Sequence, residues 1–258
     1  MTKLITDSFI LEENPCWECP SCHQKTLEIV KDAVHEQYDS NSSKRVDYEQ
    51  VTYGRDPHPY ELSGGVFTAL LRCISSTCRE AVACSGESSY DIDYGEDWAN
   101  ERNDVHVTHF KPKMFVPPLH PFIIPDDCDK RITAPLLSSF TLLPSSPGAA
   151  ANSLRIAVER YLDVINVAPA WALGGRIKEL EKRDPDKAGL LMSIKCMGNS
   201  GSHEYETVLG SDVLSGYVIF KRLLDDQYPV IAIDTSKAEA KTLTERFNSE
   251  PKQSSPKV

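Results

Sequence analysis

The 258-residue chain has no uninterrupted apolar run approaching eighteen residues, the length a membrane-spanning helix requires. Its opening, Met1-Thr2-Lys3-Leu4-Ile5-Thr6-Asp7, lacks the charged start and apolar stretch of a secretory signal. The expectation is a soluble, cytoplasmic protein with no membrane partner. Basic charge is also scarce: 28 Lys and Arg against 38 Asp and Glu leave a formal charge of −10. The deficit is uneven, since residues 1–146 hold 13 basic against 23 acidic side chains and residues 147–247 hold 13 against 14. Affinity for a nucleic-acid backbone comes mainly from Lys and Arg displacing counterions. The balance therefore argues against an extended footprint on duplex DNA and leaves a protein partner, or RNA reached through a small local site. No internal repeat is present.

Cysteine is plentiful. Six of the eight fall between Cys16 and Cys84, and with no export signal ahead of them, metal ligation in a reducing compartment accounts for them better than disulfides. Cys19-Pro20-Ser21-Cys22 and Cys73-x4-Cys78 are two closely spaced pairs about fifty residues apart. Two such pairs can complete a closed tetrahedral shell on one Zn²⁺, a structural site with no position open for water. Cys19, Cys22, Cys73 and Cys78 are the expected ligands of a structural zinc. The plainer alternative is four buried free thiols. Cys16-x2-Cys19 is an overlapping pair that keeps Cys16 in reserve. Cys84 reads as a small core residue, and Cys128 and Cys196 receive no role.

Along the chain, residues 1–116 read as a small zinc-ribbon-like β domain stapled by metal. It has a strand over Val66–Arg72 feeding the second pair and another over Glu80–Ser85 leaving it. A polar insertion, residues 35–63, reads as turns and a solvated excursion, on the strength of Asn41-Ser42-Ser43-Lys44-Arg45 and Asp56-Pro57-His58-Pro59. Residues 117–147 carry Pro117, Pro118, Pro121, Pro125, Pro135, Pro144 and Pro147 and form an extended connector. Phe115, Leu119, Phe122, Ile123 and Ile124 nonetheless need somewhere to bury, and Leu136–Leu143 suits a short helix. Residues 148–247 read as all-helical. Leu154, Ala157, Val158, Tyr161, Leu162 and Ile165 recur at three-and-four spacing, followed by helices over Leu173–Lys182, Lys187 to about Met197, Ser211–Asp226 and Ala238–Phe247. Residues 248–258 read as a disordered tail. The fold class is thus α+β, a small β domain followed by a helical bundle.

A second cluster stands at Lys195-Cys196-Met197-Gly198-Asn199-Ser200-Gly201-Ser202-His203. Gly198 and Gly201 let the backbone leave a helix or meet another chain closely. Asn199 and His203 are four apart, and histidine can act as general acid or base near neutral pH. The plainer reading makes both polar residues structural caps. Arg155 and Glu159, at i and i+4, read most simply as an ion pair.

Taken together, Ala150-Ala151-Asn152-Ser153-Leu154-Arg155-Ile156-Ala157-Val158-Glu159, Gly175-Arg176-Ile177-x2-Leu180, Ile194-Lys195-x2-Gly198-Asn199-x3-His203 and Asp212-Val213-Leu214 resemble the domain-of-unknown-function family 4145 over residues 135–228. That family looks like a branch of the HEPN superfamily of helical domains, whose members often dimerise, include RNA-cutting toxins and antiviral effectors, and commonly carry a zinc ribbon. The resemblance implies a homodimer formed through the helical half and a role in bacterial defence or nucleic-acid metabolism. It also implies a metal-independent ribonuclease site using His203 and Asn199, with Arg155 and Glu159 as candidates for binding phosphate or ligand. In active members an Arg precedes the polar residue. Here that position is Gly198, and the nearest cation, Lys195, lacks the bidentate fork with which Arg grips phosphate. The expectation is a non-catalytic binding or adaptor module, with the ribonuclease as the alternative.

Overall fold

The computed structural model describes residues 5–13, 15–94, 104–203, 208–229 and 235–248. Five strands form one antiparallel sheet in sequential order, β1 (Cys16–Glu18), β2 (Lys25–Tyr38), β3 (Gly65–Cys73), β4 (Ala81–Tyr94) and β5 (Asp104–Val116). Burial alternates along β3, with Phe67, Ala69, Leu71 and Cys73 inward and Val66, Thr68 and Arg72 outward, the two-residue period of a sheet covered on one face. Register breaks between Ile29 and Val34 on β2 and between Ser85 and Gly86 on β4 bend the ladder, as bulges do. Gly86 is required there, because a Cβ would lie 2.1 Å from the Lys111 carbonyl oxygen. The sheet curls far enough to bring the Trp17 ring of β1 within 6.1 Å of Phe115 on β5. Phe9 fills the gap, bridging the Phe110 backbone and packing edge-on against Trp17 and Phe67.

The segment 35–63 corrects the reading of a solvated excursion. β2 continues through Tyr38, and Ser40–Tyr53 is a helix, α1. Its signals are local: the Asp39 side chain accepts from the Ser42 amide at 2.7 Å, and Gly54 closes the helix in the left-handed conformation. Glu49, the buried charge of α1, is held between Arg45 at 2.8 Å and Arg55 at 3.0 Å. The helix turns no apolar stripe to the sheet, so periodicity did not reveal it. Two strands are also longer or newer than expected, since β4 runs on to Tyr94 and the whole of β5 lies within residues read without a strand.

The helical half comprises α2 (Lys130–Leu142), α3 (Pro147–Val164), α4 (Leu173–Glu181), α5 (Pro185–His203), α6 (Gly210–Gln227) and α7 (Thr235–Asn248). One apolar core is shared by Leu136 and Phe140 of α2, Leu154 and Tyr161 of α3, Leu191 and Ile194 of α5, and Tyr217 and Phe220 of α6. Two polar groups buried in it are paired with one another: Ser139 Oγ donates to the Ala150 carbonyl at 2.7 Å and shares a 2.7 Å hydrogen bond with the Tyr217 hydroxyl. The sheet has its own core, containing Leu27, Phe67, Leu71, Val82 and Phe115. α2 belongs to the helical core although it lies inside the proline-rich stretch and contains Pro135. The residues read as a tail, 249–258, lie outside the described residues. Among the described residues no helix is long and apolar enough to cross a membrane.

Candidate metal centre and the α3–α5 crossing

The two cysteine pairs converge at one end of the sheet. The first lies on the turn between β1 and β2, closed by hydrogen bonds from the Cys19 amide to the Gln24 carbonyl at 2.8 Å and from the His23 amide to the Cys19 carbonyl at 2.9 Å. The second lies on the turn between β3 and β4, closed by the Cys73 amide to the Glu80 carbonyl at 2.8 Å and the Arg79 amide to the Ser75 carbonyl at 3.1 Å. In both turns the residue after the second cysteine adopts a left-handed backbone, His23 at φ 56° and Arg79 at φ 54°. Only a few per cent of non-glycine residues do so. The matching geometry marks two equivalent knuckles facing each other, and the Ser21 hydroxyl donates to a Glu80 carboxylate oxygen across the gap between them.

Cys19, Cys22, Cys73 and Cys78 bring all four sulfurs within 4.8 Å of one another, with 3.7 Å between Cys19 and Cys78 and 3.7 Å between Cys22 and Cys73. Four sulfurs bound at about 2.3 Å from a central zinc stand about 3.8 Å apart along each tetrahedron edge. The donor set therefore fits an ion, and the separations are far beyond the 2.05 Å or so of a disulfide. Thr26 adds a hydroxyl 3.1 Å from Cys73 Sγ and 3.7 Å from Cys22 Sγ.

The thiols are unequal. The Gln24 amide, aided by the Thr26 hydroxyl, draws the Cys22 thiol down to about 7. For Cys78 the Glu80 amide pulls the same way, yet burial and the neighbouring thiols push it up to about 12, and burial also raises Cys19. Like charges at this spacing resist joint ionisation, and a central cation removes that resistance. Cys16 stands apart. It pairs with Glu28 while the adjacent Trp17 pairs with Leu27, which itself faces Cys73. Strand alternation therefore sends Cys16 to the other face, where its thiol meets the Lys25 carbonyl at 3.4 Å. Cys84 is a core thiol, raised to about 12 by burial.

The second cluster is differently placed. α5 does not end near Met197; it runs unbroken through His203. Gly198 and Gly201 are the positions where it crosses α3, and neither is an exit from the helix. A Cβ on Gly198 would lie 2.6 Å from Arg155 Cβ, and one on Gly201 would lie 2.4 Å from the Gly148 carbonyl oxygen. Lys195, Asn199 and His203 stand four apart on this continuous helix, with Asn199 exposed and Lys195 half-buried beside Gly174 of α4. Arg155 is on α3 against Gly198. Its guanidinium donates to Glu159 at 2.8 Å and to Asn152 at 3.2 Å, the intrahelical pairing the i, i+4 spacing suggests.

Sequence reasoning gave Arg176 no role of its own within the Gly175-Arg176-Ile177 element. Arg176 is a buried clamp on the end of α3, donating to the Glu159 carbonyl at 3.2 Å and the Val167 carbonyl at 2.8 Å and pairing with Asp163 at 2.8 Å. A cation placed at the C-terminal end of a helix is favoured by the helix dipole. No hydropathy pattern could have singled it out, since the signal is a tertiary contact.

The fold and site define a two-part chain, a curled sheet bearing a four-thiol cluster and a helical half. A family model described as "Domain of unknown function (DUF8608)" matches residues 7–115, the sheet. One described as "Domain of unknown function (DUF4145)" matches residues 138–249 and supports the resemblance read from Arg155, Gly198, Asn199 and their neighbours. No curated protein and no solved structure matches the chain.

Proposed function

We propose that this protein is a zinc-bound, non-catalytic binding module, a zinc-ribbon-like sheet joined to a HEPN-like helical half that pairs with a second copy of itself, serving bacterial defence or nucleic-acid metabolism. The four-thiol cluster carries this reading. Cys19, Cys22, Cys73 and Cys78 supply a full tetrahedral shell, so a zinc held there is structural and offers no vacancy for an activated water. The knuckle tips, with Ser21, Gln24 and Arg79 exposed, then form a rigid surface for a partner.

The helical half adds support of another kind. The cation that a ribonuclease needs at the scissile phosphate is absent at Gly198, and Arg155 is neutralised in place by Glu159. A second reading, metal-independent RNA cleavage using His203 and Asn199 with Lys195, is favoured by one observation: α5 stays helical through His203, which keeps the three residues in register along it. Incubating the purified full chain with diverse RNAs at stated salt decides between them. The adaptor reading expects intact RNA with wild type and His203→Ala alike, and cleavage lost in His203→Ala would overturn it.

A further inference from the structure

The residues after β5 tie the two cores together at one point. Leu119 is 3% exposed and packs within the sheet core, while Phe122 is 6% exposed and packs within the helical core. Three residues of chain span at most about 11 Å, so neither anchor can shift far without pulling the other. Between them His120 makes ring contacts in both directions, with His23 at a centroid distance of 6.0 Å and with Phe140 of α2 at 5.5 Å. Phe140 in turn meets Phe122 at 5.3 Å and Tyr217 of α6 at 5.0 Å. His23 follows Cys22 directly and holds a left-handed backbone. An unbroken run of contacts thus leads from a metal ligand, through His23 and His120, to the centre of the helical bundle.

From this geometry we infer that Leu119, His120 and Phe122 form a strap through which metal loading of the cysteine cluster tightens the α2–α6 packing of the helical half. The inference rests on the reading that the four thiols hold a metal. Metal binding supplies folding free energy to the turns that carry the ligands. Without the ion the knuckle bearing His23 loosens, His120 loses one of its two ring partners, and Leu119 loses the rigid core that seats it. The helical half then keeps its helices but loses protection where Phe140 and Tyr217 meet.

Hydrogen exchange of the full chain, zinc-loaded and after stripping with a chelator under reducing conditions, tests this. Ring contacts of this kind contribute on the order of 1 kcal/mol, so amides of 130–142 and 210–227 should exchange about threefold to tenfold faster in the stripped protein. His120→Ala should still bind one zinc per chain yet lose most of that difference. Should His120→Ala fail to fold, His23→Gly removes the same contact from the knuckle side at a backbone position glycine accepts readily. A zinc-loaded chain whose 130–142 amides are indifferent to stripping, while those of 65–73 accelerate, overturns the strap alone. Metal analysis showing no zinc bound overturns the cluster reading and the strap together.

Discussion

The α3–α5 crossing makes a quantitative claim about three glycines of one helix. Gly201→Ala places a methyl carbon 2.4 Å from the Gly148 carbonyl oxygen, a backbone atom that cannot swing aside, and Gly198→Ala meets Arg155 Cβ at 2.6 Å. Forcing the helices apart to admit such a group costs about 1–3 kcal/mol. Alanine returns up to about 1 kcal/mol of helix propensity at an interior position. Because the clashing atom is backbone, the upper part of that cost applies, about 2–3 kcal/mol, and the net loss for Gly201→Ala should be about 1–2 kcal/mol. Gly189 is the internal control, since it lies exposed on the same helix with nothing within 4 Å of its missing Cβ. Gly189→Ala should gain about 0.5–1 kcal/mol, because only the propensity change remains. Urea unfolding followed by circular dichroism reads both: the midpoint falls for Gly201→Ala and rises for Gly189→Ala, with the slope unchanged. Equal midpoints for the two variants would refute the crossing and with it the placement of Arg155 against Gly198.

Two further outcomes follow from local chemistry. The Arg131 side chain, then its amide, hold the Asp129 carboxylate at the start of α2 down to about 2, below its ordinary 3.8. A depressed carboxylate stabilises the fold above its unfolded value and loses that contribution as pH falls through the folded one. Asp129→Asn should therefore unfold more easily than wild type above pH 4 and converge with it near pH 2, and a difference that ignores pH would contradict the pairing. Thr26→Val removes the hydroxyl beside Cys73 and Cys22, and loss of such an outer hydrogen bond typically weakens metal binding by about tenfold to a hundredfold. Competition against a chromophoric chelator measures this, and an unchanged affinity would show that Thr26 does not support the sulfurs.

Much of this architecture was legible because its signals are short in range. Two cysteine pairs announce a cluster through spacing alone, and Leu154, Tyr161, Tyr217 and Phe220 announce buried helix faces through their period. What escaped depends on tertiary context. α1 buries Ser42 and Glu49 and no large apolar side chain, so only its cap at Asp39 and stop at Gly54 betray it. β5 is interrupted by Pro112, and His106, His109, Lys111 and Lys113 are interleaved with its apolar Val105, Val107 and Phe110. Gly198 and Gly201 have two opposed meanings in a sequence, helix exit or helix crossing, and only the approach of α3 decides between them. Cys16 illustrates the reverse: its spacing alone left it a rival ligand, and one residue of strand register removed it.

Native mass measurement of the full chain, purified in reductant without added metal and paired with a count of reactive thiols, bears most directly on the four-cysteine cluster. One zinc per chain is expected, with four thiols shielded until the metal is removed and no metal retained by Cys22→Ser. A folded chain carrying no metal, with Cys19, Cys22, Cys73 and Cys78 freely reactive or joined as disulfides, would contradict it.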